Sequence, residues 1–206
     1  MSINMLGTKV GMTQIFNTDG LAIPVTIIKV NPSTVVQIKT LETDGYNAVQ
    51  LGYHQISEKS VNKPMLGHFK KFGVSPLKYL KEFRIDSSDN FSVGQQITTE
   101  MLQVGQLVNV SGTSIGRGFA GLQKRHNFSR GPMTHGSKNH RAPGSIGAGT
   151  SPGRVFPGKK MAGRLGGKQV TVQKLPIINI HNEQNLLIIK GSIPGKSGNL
   201  ISIKVY

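Results

Sequence analysis

The feature that most constrains this chain is a stretch of 82 residues, from Met101 to Asn182, that contains no aspartate and no glutamate. Eleven Lys and Arg residues lie inside it, from Arg117 to Lys168, and thirteen glycines are interspersed from Gly116 to Gly167. A segment of this kind repels itself and has too little apolar surface to fold alone. It therefore requires a polyanion beside it.

The positive charge is concentrated in the second half of the chain. The net charge is +16, but residues 1–100 contain ten Lys and Arg against eight acids, whereas residues 101–206 contain fifteen against one. Nucleic acid is the favoured partner, because its phosphates are dense enough to need so many counter-charges. A membrane surface would call for a basic amphipathic helix, which thirteen glycines disfavour.

Neither glycine motif of the chain supports a nucleotide cofactor. Gly116–Gly121 has the GxGxxG spacing, but no acidic residue follows it at the distance where a ribose would bind. Gly191–Ser197 resembles a phosphate-binding loop, yet it lies between two predicted strands and is interpreted as a hairpin turn. The chain has no cysteine, and His126, His135 and His140 have no further ligand nearby, so no metal site and no cofactor are predicted.

Segments rich in Val, Ile and Thr predict a mostly β protein on both sides of the glycine-rich region. After that region, separate strands are predicted at Val170–Val172, Ile177–Ile180, Leu186–Lys190 and Leu200–Val205. Asn17–Gly20 is typical of a hairpin connection. Ser75 and Pro76 predict a short helix over Pro76–Glu82. Strands on both flanks predict a closed β-barrel with the basic region inserted in it.

The predicted organisation has two parts. Residues 1–123 and 169–206 are expected to form the barrel domain, and residues 124–168 a long irregular loop inserted in it. A short helix is predicted around Phe119–His126. The remainder of the loop consists of Gly, Pro, Ser and cations, and is expected to be extended when free and ordered when bound.

The candidate nucleic-acid contacts are the cations and histidines of the basic region: Arg117, Lys124, Arg125, His126, Arg130, His135, Lys138, His140, Arg141, Arg154, Lys159, Lys160, Arg164 and Lys168. Arg holds phosphate oxygens bidentately or stacks on a base, and Lys neutralises phosphate as a point charge. Structured RNA fits an irregular extended strand better than duplex DNA does, because DNA readers present a helix or a ribbon to the major groove.

Several blocks resemble the ribosomal protein L3 family of the large subunit, in its bacterial and organellar form. They are Leu6–Phe16 with Pro24–Thr26, Gly116–His126, His140–Gly147, Gly153–Phe156 and Gly158–Gly163. They occur in the expected order and span essentially the whole chain.

The resemblance implies a translation-protein-type barrel and a non-enzymatic structural role, with large-subunit rRNA and neighbouring ribosomal proteins as partners and no membrane or small-molecule substrate. It also implies early assembly and a location on ribosomes of a bacterial cytoplasm or plastid stroma. The tip of the extension, expected near the peptidyl transferase centre, would comprise Gly147, Ala148, Gly149, Thr150 and Ser151. Many bacterial members have a methylatable glutamine just after the Gly-Ser-Ile-Gly block, which this chain lacks. A general nucleic-acid chaperone and an enzyme using Gly116–Gly121 are the alternatives.

Overall fold

The computed structural model of this chain describes residues 4–85 and 91–206. Its strands are β1 (Asn4–Phe16), β2 (Ala22–Lys29), β3 (Ser33–Lys39), β4 (Ala48–Gln55), β5 (Leu77–Arg84), β6 (Gln96–Ile97), β7 (Leu107–Thr113), β8 (Phe119–Ala120), β9 (Gly163–Arg164), β10 (Gln169–His181), β11 (Leu186–Lys190) and β12 (Leu200–Val205). The α-helices of the described residues are α1 (Leu41–Asp44), α2 (Lys63–Lys71) and α3 (Leu122–His126). Short 3₁₀ turns occur at Glu58–Ser60 and Thr99–Met101.

Six strands close into an antiparallel barrel in the order β1-β12-β7-β10-β11-β2. The predicted hairpin at Asn17–Gly20 is confirmed: Phe16 faces Ala22, and the Asn17 N–H donates to the Leu21 carbonyl at 2.9 Å. Closure depends on β12, which pairs with β1 on one side and with β7 on the other. The predicted mostly β fold with a closed barrel is confirmed.

Strands β5, β4, β3 and β6 form a separate four-stranded sheet that shares its core with the barrel. Barrel residues such as Leu6 and Ile203 belong to the same buried cluster as Leu51 and Phe83 of the sheet. The Lys81 ammonium of β5 donates to the Ser202 hydroxyl of β12 at 2.8 Å, and partial burial lowers the pKa of Lys81. One apolar core therefore stabilises both sheets.

The predicted helix at Pro76–Glu82 is wrong, because these residues belong to strand β5. The segment alternates in burial, with Leu77 and Phe83 inside and Lys78 and Arg84 outside. β4 pairs with it along its length, so tertiary pairing overrides the local helix signals of Ser75 and Pro76.

Glu82 of β5 contributes to a surface network on this sheet. It pairs with the Lys39 ammonium at 3.2 Å and accepts a hydrogen bond from the Tyr46 hydroxyl at 2.9 Å. Desolvation raises the pKa of Glu82, but the bonds from Tyr46 and Lys39 outweigh it, so the net pKa is lowered. Exposed pairs of this kind contribute little to stability, because solvent screens the charges and both side chains lose conformational freedom.

Two further predictions about the C-terminal strands need correction. Gly191–Ser197 is not a hairpin turn, because the strands it joins, β11 and β12, are not neighbours in the barrel. The separate strands predicted at Val170–Val172 and Ile177–Ile180 are one strand, β10, whose register shifts between Val172 and Leu175. Lys174 lies in that irregularity with a φ of 56°.

The chain divides into two compact units. One comprises Met1–Thr113 with Gln169–Tyr206 and holds the barrel and the four-stranded sheet; the other, the basic unit, is Ser114–Lys168. The basic unit contains β8, α3 and β9. The finer division into 1–123 with 169–206 and 124–168 stays a prediction.

Candidate nucleic-acid interface

The two ends of the basic unit are joined by a hydrogen-bonded stem, which we define as Ser114–Ala120 and Gly163–Lys168. The Ser114 N–H donates to the Lys168 carbonyl at 2.9 Å, and the Gly167 N–H donates back to the Ser114 carbonyl at 3.2 Å. Further along, the Arg117 N–H donates to the Leu165 carbonyl at 2.8 Å. The chain therefore leaves and returns at one place, as an insertion requires.

Beyond the stem, the short helix α3 is tied to the returning strand. Its predicted range, Phe119–His126, is confirmed in part, because Phe119 and Ala120 belong to β8. The Arg125 guanidinium donates to the Met161 carbonyl at 2.7 Å, and the His126 Nε2–H donates to the same oxygen at 3.1 Å. Leu122 is buried beneath the helix. Arg125 and His126 thus fix the local backbone of Met161.

Two further turns organise the irregular part of the unit. Residues 131–140 form a closed loop, in which the Gly131 N–H donates to the His140 carbonyl at 3.1 Å and the His140 Nδ1–H donates to the Pro132 carbonyl at 2.9 Å. A second turn lies at the expected tip, where the Gly153 N–H donates to the Gly149 carbonyl at 3.1 Å. The tip residues Gly147–Ser151 are all exposed.

The predicted cations lie almost entirely on the surface of the basic unit. Arg125 is half-buried, and its guanidinium is the only one of the eleven Lys and Arg side chains that donates a hydrogen bond within the described residues. Arg154 packs over the Phe156 ring, 5.7 Å from its centroid. The exposed cations are Arg117, Lys124, Arg130, Lys138, Arg141, Arg154, Lys159, Lys160, Arg164 and Lys168.

The unit offers these cations no carboxylate partner. It contains no Asp or Glu, so no ion pair can form inside it. Of the three histidines, His135 and His140 are exposed, and His126 is half-buried on α3. Ten exposed cations without carboxylates leave an uncompensated positive surface, which attracts polyanions.

Gly116–Gly121 does not form a dinucleotide site. The strand inside the motif, β8, has two residues and pairs antiparallel with β9, whereas the dinucleotide motif needs parallel strands joined by a helix. Gly118 has a φ of 65° and marks a tight turn into β8.

Within residues 4–85 and 91–206, no three His, Cys, Asp or Glu side chains are grouped as metal ligands would be. Over the same residues, no helix has the length and apolar character needed to cross a membrane.

The exposed apolar side chains of the basic unit were not predicted. Phe119 is 81% exposed, and Ile146 and Phe156 are 44% and 59% exposed. They could have been predicted, because they are apolar residues that follow neither a helical nor a strand periodicity. Inside an acid-free segment without a core of its own, such side chains remain exposed.

Comparison with known proteins identifies the family. A sequence model described as ribosomal protein L3 matches residues 81–186. The large ribosomal subunit protein uL3 of Picosynechococcus sp. is 61% identical over 204 residues, which cover 98% of this chain and 96% of that protein. The large ribosomal subunit protein uL3c of Porphyra purpurea is 58% identical over 203 residues, covering 98% and 99%.

The uL3c protein of Phaeodactylum tricornutum is 59% identical over 203 residues and covers 98% of both chains. The class that these matches and the fold define is that of ribosomal proteins. Within it, the chain belongs to the ribosomal protein L3 family.

Proposed function

We propose that this protein is a structural component of the large ribosomal subunit that binds large-subunit rRNA through its basic unit. The observation that carries the proposal is the set of ten exposed cations in a unit without a single carboxylate. Each cation that meets a phosphate releases counterions from the RNA, and this release supplies much of the binding free energy.

The geometry of the unit favours folded RNA over duplex DNA. Its only helix among the described residues, α3, has five residues, and its only paired strands, β8 and β9, have two each. Neither is long enough to be presented to a major groove. Exposed, irregular backbone suits instead the bulges, loops and 2′-hydroxyls of folded RNA.

The family membership supports finer parts of the proposal. In this proposal, the barrel domain (residues 1–123 and 169–206) contacts neighbouring ribosomal proteins, and residues 124–168 extend into the RNA. The tip at Gly147–Ser151 approaches the peptidyl transferase centre, and binding occurs early in assembly. The role is structural rather than enzymatic. The relatives of cyanobacterial and algal origin fit ribosomes of a bacterial cytoplasm or a plastid stroma.

A competition titration tests the proposal. The full-length protein is bound to cyanobacterial large-subunit rRNA transcribed in vitro, with duplex DNA and a non-ribosomal RNA of equal length as competitors at fixed salt. We expect the rRNA to be preferred by at least about tenfold, because shape-specific contacts add to charge neutralisation. Equal competition by all three polymers would instead identify a general nucleic-acid chaperone.

A further inference from the structure

The basic unit contains an apolar cleft beside helix α3. It has a volume of about 470 Å³, within the range of roughly 300–1,000 Å³ typical of ligand sites. Its lining includes one cation and otherwise apolar side chains: Leu122, Arg141, Pro143, Ile146, Met161 and Ala162. All of them lie in the same compact unit.

One side of the cleft, α3 with Met161, is held by hydrogen bonds in the free protein, whereas Arg141, Pro143 and Ile146 belong to the irregular part that we expect to order on binding RNA. Leu122 is only 6% exposed and anchors the cleft on α3. The Met161 carbonyl accepts hydrogen bonds from both Arg125 and His126. Pro143 has a restricted backbone. A site with one side already in place loses less conformational entropy on binding than one that must be assembled entirely.

The chemistry of the lining favours a flat, apolar group attached to an anion. Ile146 and Met161 are 44% and 38% exposed in the free protein, so covering them removes apolar surface from water. The Arg141 side chain is exposed and makes no hydrogen bond within the described residues. A guanidinium stacks on a nucleobase or binds a phosphate, and apolar side chains pack on the faces of extruded bases.

We propose that this cleft receives one unstacked base of the RNA, with Arg141 stacked on that base or paired with its phosphate. The inference rests on the proposed RNA-binding function. The surrounding charge favours a nucleotide over an apolar protein side chain, because ten exposed cations and no carboxylate attract a phosphate-bearing group.

Chemical probing with matched variants tests the cleft. The probe is the same in-vitro transcribed large-subunit rRNA, bound to the full-length protein and treated with base-modifying reagents. Ile146→Ser removes an apolar wall, and Arg141→Lys keeps the charge but removes the planar guanidinium. Val155→Ser is the control, because Val155 is also 40% exposed in the basic unit but does not line the cleft.

We expect the wild type and Val155→Ser to protect one unpaired nucleotide that Ile146→Ser leaves reactive, while the rest of the footprint is unchanged. Affinity should fall about fivefold for Ile146→Ser, because the base then covers less apolar surface, with the same salt dependence. Arg141→Lys should weaken protection of the same nucleotide.

Wild-type footprint and affinity in both Ile146→Ser and Arg141→Lys would overturn the cleft proposal and leave RNA binding intact. A wild-type protein that leaves no footprint at all would overturn the proposed function itself. If Ile146→Ser weakens only the binding of a neighbouring ribosomal protein, with every RNA protection retained, the cleft is a protein site and the proposal is wrong.

Discussion

At the scale of single residues, Lys9 explains how the barrel holds the segment that resembles a phosphate-binding loop. Its side chain is 8% exposed, and its ammonium donates to the carbonyls of Ile193 at 3.0 Å and Gly195 at 2.9 Å. The backbone of Lys9 also exchanges hydrogen bonds with Gly198 and Asn199. Gly191–Ser197 is thus a structural connection, fastened by a cation of β1 rather than free to bind phosphate.

Replacing Lys9 tests this fastening. Lys9→Met keeps the approximate length of the side chain but removes the ammonium. The buried carbonyl oxygens of Ile193 and Gly195 then lose the hydrogen bonds that they accept from it. We expect the free energy of unfolding to fall by about 1–3 kcal/mol, measured by urea denaturation of the full-length protein. Lys29→Met, at the exposed last residue of β2, is the control, and a Lys9 variant as stable as that control would refute the role of the ammonium.

Residues of the interface and residues of the fold differ in how well the sequence predicts them. Lys159 and Lys160 are identifiable from composition alone, because no acid lies near them in the sequence. The role of Lys9 is not predictable, since its acceptors lie more than 180 positions away. A contact of that separation is created by barrel closure and has no local signal.

At the scale of elements, the stem is the most ordered part of the basic unit, because hydrogen bonds and a close backbone approach hold its two strands together. Gly166 has a φ of 70°, and a Cβ placed on it would overlap the carbonyl oxygen of Ile115 on the opposite strand. Between Arg141 and Lys160, by contrast, the described backbone N–H donors to backbone carbonyls are those of Gly153 and Lys159. Protection should therefore be concentrated in the stem.

Amide hydrogen exchange on the free protein tests this distribution. We expect the amides of Arg117, Leu165 and Gly167 to be protected and most of residues 141–160 to exchange rapidly. Gly166→Ala should reduce stem protection at least about tenfold more than Gly158→Ala. Both variants incur the cost of a left-handed alanine, roughly 1 kcal/mol, but only Gly166 faces a backbone overlap.

Equal stem protection in the two glycine variants would show that the overlap is relieved without cost. Strong protection throughout residues 127–167 would contradict the expectation that the irregular part orders only on binding RNA.

Strands formed by short runs of Leu, Ile and Val were predictable, and elements with competing local signals were not. Strand β11 is predicted at Leu186–Lys190 and found there. Strand β5 was mistaken for a helix although Leu77–Arg84 alternates in burial. Helix α2 was missed, yet Pro64 in its first turn and Lys70 and Lys71 in its last turn are helix signals.

At the scale of the whole molecule, the closed barrel was predictable as a class but its strand order was not. Strands on both sides of an insertion indicate closure. β12 pairs with β1 from the other end of the sequence and with β7 from its middle, and no local pattern encodes either pairing. The cleft beside α3 could not be predicted from the sequence either, because Leu122 and Met161 are 39 positions apart and meet only in the folded basic unit.

The salt dependence of rRNA binding tests whether the basic unit neutralises phosphates. If about six of the exposed cations meet phosphates, the logarithm of affinity should fall with the logarithm of salt concentration at a slope of roughly −4 to −5. Replacing both Lys159 and Lys160 with alanine should make the slope shallower by about one for each of these lysines that meets a phosphate. Lys59→Ala with Lys63→Ala is the control, since both lysines are exposed outside the basic unit.

We expect a steep wild-type slope that the control retains and the Lys159 and Lys160 variant reduces. A wild-type slope near zero would contradict the claim that the acid-free unit neutralises RNA phosphates. A steep slope identical in all three proteins would show instead that Lys159 and Lys160 face solvent.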